Sequence, residues 1–374
     1  MIKRIVLTGG PCAGKSTALS KIEDYFLEKG YAVLIIAESA TELIHGGIRP
    51  FGNQALYGFD FQGIILDYQL NKENTYDQAA NYLEAIGRDV IILYDRGLLD
   101  NKAYLDLDGW NKLLRTRDLF ENDLKEKYDL VIHMVTAACG AKDAYTLQNN
   151  QARTETVDEA IKLDNLTKQA WCGHPMLKIV DNSCSFDDKI KNVLEECLAV
   201  VGDKTQIRRQ RKFLVDPSSL DINKFNSSYT KSVIEQFYFK NENSPYEYRI
   251  RRKIIDKKNY YYLTIQEKLD NGKSILISEK KLSEREYLCY LRSNNIVSSI
   301  NKTRYTFLYD KEYVRLDLFE DGTTLLEIEP MSKSDNIKIP DGINIIEEVT
   351  NDVSYQNREL AKVKQKIIQY KKEN

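Results

Sequence analysis

Residues 9–17 read Gly9-Gly10-Pro11-Cys12-Ala13-Gly14-Lys15-Ser16-Thr17, the pattern G-x-x-x-x-G-K-[ST]. A segment of this kind can wrap a chain of phosphates. Glycines let successive backbone N–H groups turn inward toward an anion, and a helix starting at the end of the loop adds the positive end of its dipole. Lys15 would reach the β- and γ-phosphates, and the Ser16 hydroxyl would hold Mg²⁺. The pattern needs a strand before it and a helix after it. Residues 2–8 form a short, largely apolar and partly β-branched run, and Leu19, Ile22, Phe26 and Leu27 recur at helical spacings of three and four. A chance glycine turn would lack that setting, so GTP or ATP with magnesium is the expected ligand.

Strands and helices must place the partners of this loop. Apolar runs at 31–37, 90–94, 130–135 and 178–180 alternate with helical patterns up to the helix 186–201. Alternation of this kind predicts a parallel sheet covered on both faces, with ligands beyond the carboxyl ends of its strands. Glu38 follows the second strand, and Asp95-Arg96-Gly97 follows the third. Asp95 is placed to meet Mg²⁺, Arg96 a phosphate or anionic acceptor, and Glu38 an acceptor hydroxyl as general base. Glu38 could equally cap the next helix. His45 reads as a loop residue beside Gly46 and Gly47, His133 as a core histidine and His174 as part of a turn. The guanine-selective N-K-x-D pattern is absent, since Asn101-Lys102-Ala103-Tyr104 lacks the aspartate.

The chain has 374 residues, of which 42% are hydrophobic and 29% charged, which suits two folded domains rather than disorder. No apolar run is long enough to span a membrane and no secretory signal is evident. The six cysteines show no paired metal spacing, and reduced thiols in a cytoplasmic protein are expected. Charge is uneven. Residues 1–204 carry 23 Lys+Arg against 31 Asp+Glu, a formal −8, while residues 205–374 carry 31 against 25, a formal +6. The basic half is therefore expected to meet anions, although a solvated surface would also carry such charges.

Residues 1–202 are expected to form the first domain and residues 207–350 the second. In the second, period-two strands replace the alternating order. They are expected at 207–215, 246–253, 259–266, 274–278, 302–309, 313–319 and 324–329, with a serine-capped helix at 283–292. Side chains two apart share a face. Arg249, Arg251 and Lys253 do so, as do Lys302 with Arg304, Arg315 with Asp317, Glu327 with Glu329, and Arg208 with Gln210 and Lys212. Ile250, Tyr305, Leu316, Leu318 and Ile328 lie opposite. A closed barrel with a charged interior satisfies this pattern, and a solvated sheet face is the simpler alternative. An interior lined by Lys212, Arg249, Arg251, Lys302, Arg304 and Arg315, with carboxylates at Glu327 and Glu329, suits a phosphorylated ligand and a divalent metal.

The first half resembles the small P-loop kinases that include the nicotinamide-riboside kinase domain of NadR-type proteins. The resemblance rests on Gly9–Thr17, Ala37-Glu38 and Asp95-Arg96-Gly97. It implies a lid at 149–171 with Arg153 as the lid arginine; a surface ion pair to Glu155 or Asp158 is the alternative for Arg153. The second half resembles the CYTH, or triphosphate tunnel, fold through Arg249-Ile250-Arg251, Lys302-Thr303-Arg304, Leu316–Phe319 and Leu326–Glu329. It departs from that fold where E-x-E-x-K becomes Arg208-x-Gln210-x-Lys212, which disfavours triphosphate hydrolysis. The fold class is therefore expected to be an α/β P-loop NTPase or kinase-like parallel-sheet domain followed by an α+β CYTH-like antiparallel β-barrel. In that order the two halves resemble the TRPL translocation defect protein 14 family. The resemblance implies GTP binding and recognition of an anionic phospholipid, phosphatidic acid or a phosphoinositide, with a trafficking role and a peripheral membrane contact. A nucleoside or other small-molecule kinase is the alternative, and no nucleic-acid partner is expected. Residues 351–374 read as a charged helix with a narrow apolar stripe.

Overall fold

The computed structural model describes residues 1–53, 55–140, 156–202, 210–222, 229–239, 246–268, 274–293, 296–309, 312–329 and 337–361. The chain divides into two compact units, Met1–Lys204 and Thr205–Asn374. Among the described residues no helix is long and apolar enough to cross a membrane.

The first unit is built on a five-stranded parallel sheet. In chain order it runs β1 (Ile2–Thr8), α1 (Lys15–Glu28), β2 (Ala32–Ile36), α2 (Ser39–His45), α3 (Gly58–Ala85) and β3 (Val90–Asp95). A 3-10 helix (Leu98–Tyr104), α4 (Leu107–Arg115), α5 (Glu121–Lys125), β4 (Leu130–Met134), α6 (Val157–Ala170), β5 (Leu177–Val180) and α7 (Phe186–Val201) complete it. The strand order is β2-β3-β1-β4-β5. Central β1 lies between β3 and β4, so the loop after it opens where the strand order reverses. The continuous apolar runs exist because these strands are covered on both faces: Ile5, Val6, Leu7, Ile91, Ile92, Leu93, Val131 and Ile132 are all fully buried.

The second unit is an antiparallel sheet of nine strands in the order β10-β9-β8-β7-β11-β12-β13-β6-β14. These are β6 (Arg211–Val215), β7 (Tyr229–Phe239), β8 (Tyr246–Ile255), β9 (Lys258–Lys268), β10 (Ser274–Leu282), β11 (Ile296–Tyr309), β12 (Glu312–Phe319), β13 (Thr324–Glu329) and β14 (Ile345–Glu348), with α8 (Glu284–Ser293) between β10 and β11. Ser283 and Glu286 cap α8 reciprocally, each backbone N–H donating to the other's side chain at 2.8 and 3.2 Å. The two-residue turn between β8 and β9 places Asp256 and Lys257 at positive φ, +48° and +66°, the twist that a tight hairpin requires.

Strand β7 was not among the expected strands, although it pairs with both β8 and β11 near the middle of the sheet. Its burial alternates through Ser232, Ile234, Gln236 and Tyr238 before adjacent Phe239 is buried as well, and because serine and glutamine hold two of the inward positions hydropathy shows no period. At the C-terminal end, Val353–Tyr355 is a 3-10 helix and 357–361 is helical; residues 362–374 of the expected helix lie outside the described residues.

Phe307 is fully buried in the core of the second unit with Val314, Leu316 and Ile328. Phe307→Ala is expected to destabilise that unit by about 3–5 kcal/mol. Both tryptophans, Trp110 and Trp171, belong to the first unit. The expected result is therefore a far-UV circular dichroism transition at lower denaturant, with the tryptophan-fluorescence transition unmoved.

Candidate nucleotide and anion sites

The loop after β1 passes so close to β4 that only glycine fits at its start. Gly9 has φ +137°, and a Cβ there would lie 2.0 Å from the carbonyl oxygen of Met134. Gly14, at φ +91°, ends the loop under the ring of Phe186, whose Cε2 would be 2.7 Å from an added Cβ. Helix α1 starts at Lys15, placing exposed Ser16 and Thr17 in its first turn beside the cavity. The Lys15 ammonium donates to the carbonyls of Gly9 and Gly10 at 3.1 Å each. Burial pulls its pKa down to about 8, with the Arg96 charge adding to the fall and Asp95, Glu38 and Asp100 opposing it.

Residues that form no part of the loop motif hold this loop. Asp164 of α6 accepts hydrogen bonds from the N–H of Gly10 (2.9 Å) and of Thr136 (3.0 Å), and its second oxygen lies 3.2 Å from His133 Nε2. Burial alone would raise the Asp164 carboxyl, but His133 and the Gly10 amide outweigh it and hold it near about 2. His133 is thus a core histidine with a carboxylate partner. Asp100 accepts from Thr8 Oγ1 at 2.7 Å and Trp171 Nε1 at 2.6 Å. The signal for Asp164 was its place on the buried face of a helix, with Ala160 and Thr167 three or four residues away. His174 is fully buried and bonds the Tyr128 carbonyl, whereas His45 is exposed at the end of α2.

Glu38, Asp95 and Arg96 come together beyond the loop. Arg96 adopts φ +70°, a left-handed conformation that is strained for a residue with a side chain. Its Nε is ion-paired with Glu38, which also accepts from Thr41 Oγ1 at 2.7 Å. Glu38 occupies the N-cap position of α2 but its side chain makes no capping bond to the helix backbone. Burial pushes the Glu38 carboxyl up, and the charges of Arg96 and Lys15 more than reverse this, to about 2. Asp95 closes β3 with a buried Oδ1 that has no hydrogen-bond partner among the described residues, and burial raises its pKa against the pull of Lys15. A hydroxyl and an uncommitted carboxylate oxygen are a donor set that fits Mg²⁺, which takes few protein ligands and completes its shell with phosphate and water. Ser16 and Asp95 are the residues that would hold it. Arg153, with the first part of the expected lid, lies outside the described residues; the rest is α6, capped by Thr156 and Glu159 and ending at fully buried Trp171. The phosphate loop, Glu38, Asp95 and Arg96 line one cavity of about 1200 Å³, which continues to Phe61, Gln62 and Ile65 of α3.

In the second unit the predicted cations fall into two sets. Asp317 receives two bonds from Arg304 and one from Lys302, each 2.6 Å. Glu327 faces Arg304 at 3.3 Å and Lys212 at 3.5 Å, and Glu329 faces Arg315 at 3.3 Å. Burial would raise both inner carboxyls, yet Arg304 and its neighbours hold Asp317 far below the usual carboxylate range and Glu327 near about 2. Burial pulls Lys302 down to about 8 against Asp317. Glu327 and Glu329, expected as metal ligands, are therefore engaged by cations. Lys212 and Lys302 also reach the Tyr355 carbonyl (3.2 Å) and Asn357 Oδ1 (3.1 Å). Arg249 and Arg251 differ. Arg251 meets Glu279 at 3.3 Å and lies 4.7 Å over the Tyr262 ring, but the Nε of each arginine is buried without a hydrogen-bond partner among the described residues. Burial, then the neighbouring Arg251 charge, lowers the pKa of Arg249, with Tyr238 opposing.

Residues 4–189 match the family model described as AAA domain. A thymidylate kinase from Caldicellulosiruptor saccharolyticus is similar at 22% identity over 204 residues, 54% of this chain and 96% of that protein. Among solved structures, an inorganic triphosphatase is similar at 22% identity, covering 41% of this chain and 93% of its own, with a TM-score of 0.30. A protein of Pyrococcus horikoshii OT3 is similar at 20% identity, covering 34% and 78%, with a TM-score of 0.28. With its Gly9–Thr17 loop, parallel sheet and AAA-domain match over residues 4–189, the first unit is a P-loop nucleotide-binding domain, followed by a second unit built on a nine-stranded antiparallel sheet.

Proposed function

We propose that the chain is a phosphotransferase that binds GTP or ATP with Mg²⁺ in its first unit and passes the γ-phosphoryl group to a small molecule. One observation carries this reading: the cavity does not stop at the phosphate loop but continues past Glu38, Asp95 and Arg96 into space lined by α2 and α3. A protein that only held a nucleotide would need no such extension. Loop amides, Lys15 and the start of α1 would stabilise charge on the transferring group, and magnesium would neutralise part of it. Glu38, held as a carboxylate by Arg96, would orient the acceptor hydroxyl. The similarity to a thymidylate kinase supports the class of reaction.

A second reading concerns the basic unit. The Nε atoms of Arg249 and Arg251, buried and without a hydrogen-bond partner among the described residues, suit an anionic oxygen. We infer that this pair holds the phosphate of an anionic phospholipid such as phosphatidic acid or a phosphoinositide, in a trafficking or regulatory role at the membrane surface of the cytoplasm.

Transfer from γ-labelled ATP or GTP to a panel of hydroxyl-bearing acceptors tests the first reading. Lys15→Ala is expected to lower kcat/KM by about 100-fold or more, and Glu38→Gln by about 10- to 100-fold. Tight nucleotide binding without transfer to any acceptor would sink it. For the second, vesicles with and without phosphatidic acid are sedimented with the protein. Selective pelleting should fall about 10-fold or more in Arg249→Ala with Arg251→Ala, since each basic residue near an anionic surface is worth about 1 kcal/mol. Pelleting that ignores the lipid or the substitutions would contradict it.

A further inference from the structure

The buried stripe of α3 includes apolar Phe61, Ile65 and Leu66 but turns polar at Gln69 and Glu73. Glu73 is fully enclosed. Burial raises its carboxyl, with Lys127, Tyr128 and Gln69 opposing the rise. A leucine there would pack against the sheet without that cost, since buried ion pairs often exchange for apolar residues of similar volume with little loss. The carboxylate therefore calls for a use beyond packing.

Two of its partners lead to one turn. Glu73 Oε1 accepts from the Tyr128 hydroxyl at 2.7 Å and from Gln69 Nε2 at 3.2 Å, while Oε2 lies 3.2 Å from Lys127 Nζ. The same Gln69 amide donates to the Arg96 carbonyl at 3.3 Å. The Tyr128 hydroxyl accepts in turn from the backbone N–H of Leu98 at 3.1 Å. One carboxylate thus reaches, through two intermediaries, the peptide groups on both sides of Gly97.

That turn is tightly held and carries the strained residue of the site. The Arg96 N–H donates to the Leu7 carbonyl at 3.0 Å. Trp171 packs against the turn so closely that a Cβ on Gly97 would lie 2.5 Å from its Cζ2. Arg96 itself has φ +70°, a conformation that a residue with a side chain leaves unless its surroundings fix it. In that conformation its guanidinium pairs with Glu38 and comes within 3.9 Å of Asp100. Its Nη1 is buried and makes no hydrogen bond among the described residues, so it remains a donor for an oxygen of a bound ligand.

We propose that Glu73 is a positioning residue: by way of Gln69 and Tyr128 it holds Arg96 in the left-handed conformation that presents the guanidinium to Glu38 and to the ligand. The kinetic consequence rests on the phosphotransferase reading, whereas the hold on Arg96 does not. Glu73 itself touches no phosphate and moves no proton. Without its carboxylate, Gln69 and Tyr128 lose the acceptor that fixes them, the turn relaxes toward negative φ, and the Arg96 guanidinium swings away from Glu38. The 9–17 loop and Lys15 lie outside this network, so nucleotide binding persists while transfer slows. A displacement of about 1 Å, caused far from the chemistry, can cost about 100-fold in rate.

The test uses the full chain, γ-labelled ATP and GTP with the panel of hydroxyl-bearing acceptors, and calorimetry with a non-hydrolysable triphosphate analogue and magnesium. Glu73→Leu is expected to lower kcat by about 10-fold or more, with the nucleotide KM and the analogue Kd within about threefold of the parent chain. Glu73→Gln is expected to restore kcat to within about threefold, because its carbonyl oxygen accepts the same two hydrogen bonds. A purely structural role would move the denaturation midpoint and leave the kcat of folded protein alone. Unchanged kcat in Glu73→Leu, no rescue by Glu73→Gln, or analogue binding weakened along with kcat overturns the proposal and leaves the phosphotransferase reading standing. If Glu73→Leu does not fold, Tyr128→Phe, which keeps the ring and removes only the hydroxyl, carries the same comparison. If the parent chain transfers to no acceptor, that reading fails, and a crystal structure of whichever variant folds decides the proposal alone. Arg96 at negative φ and parted from Glu38 keeps it; Arg96 unmoved overturns it.

Discussion

At Gly9 the chain leaves β1 with its backbone against the carbonyl of Met134, in space that no side chain can share. From that contact the rest of the first unit's site takes its position. The loop can run inward over the end of the sheet only because β4 supplies the neighbouring backbone and because Asp164, from a helix far along the chain, grips the amide of Gly10 together with that of Thr136. The carboxylate is itself held charged by His133 and the Gly10 amide. A buried anion is affordable there because each of its oxygens has a partner. The loop is therefore organised from behind by a charged residue that never needs to meet the ligand.

The second unit solves a related problem differently. Its interior charges are close enough to neutralise one another: Asp317 and Glu327 are enclosed by Arg304, Lys302 and Lys212. Such a network stabilises the sheet only while complete, since removing one member leaves a buried charge behind. Arg249 and Arg251 stand apart from it, less fully compensated. A sheet that carries both a self-neutralised cluster and an arginine pair with idle donors separates what holds it together from what can meet an anion.

Much of this was legible in advance because it is written in local pattern. The phosphate loop is a contiguous motif, and the parallel strands are continuous apolar runs because both their faces are covered. The period-two charges at 302–304, 315–317 and 327–329 follow from the pleat. What escaped was non-local. Strand β7 buries serine and glutamine, so its alternation lies in burial and not in hydropathy. Asp100 and Asp164 look like ordinary acids in sequence, and their importance comes from Thr8, Trp171, Gly10 and His133, residues distant along the chain.

By itself, the sequence determined the order of elements, the alternation of one half against the antiparallel pattern of the other, and the identity of the loop that wraps phosphate. Those are properties of neighbouring residues, set by backbone geometry and side-chain period. Tertiary structure alone decided which charges are spent and which are idle: that Glu38 is paired with Arg96, that Glu327 and Glu329 face cations, and that Gln62 and the two arginines retain polar atoms unused among the described residues. A charge is neutralised by whatever lies within a few ångströms of it, and that distance is fixed by folding, not by position along the chain.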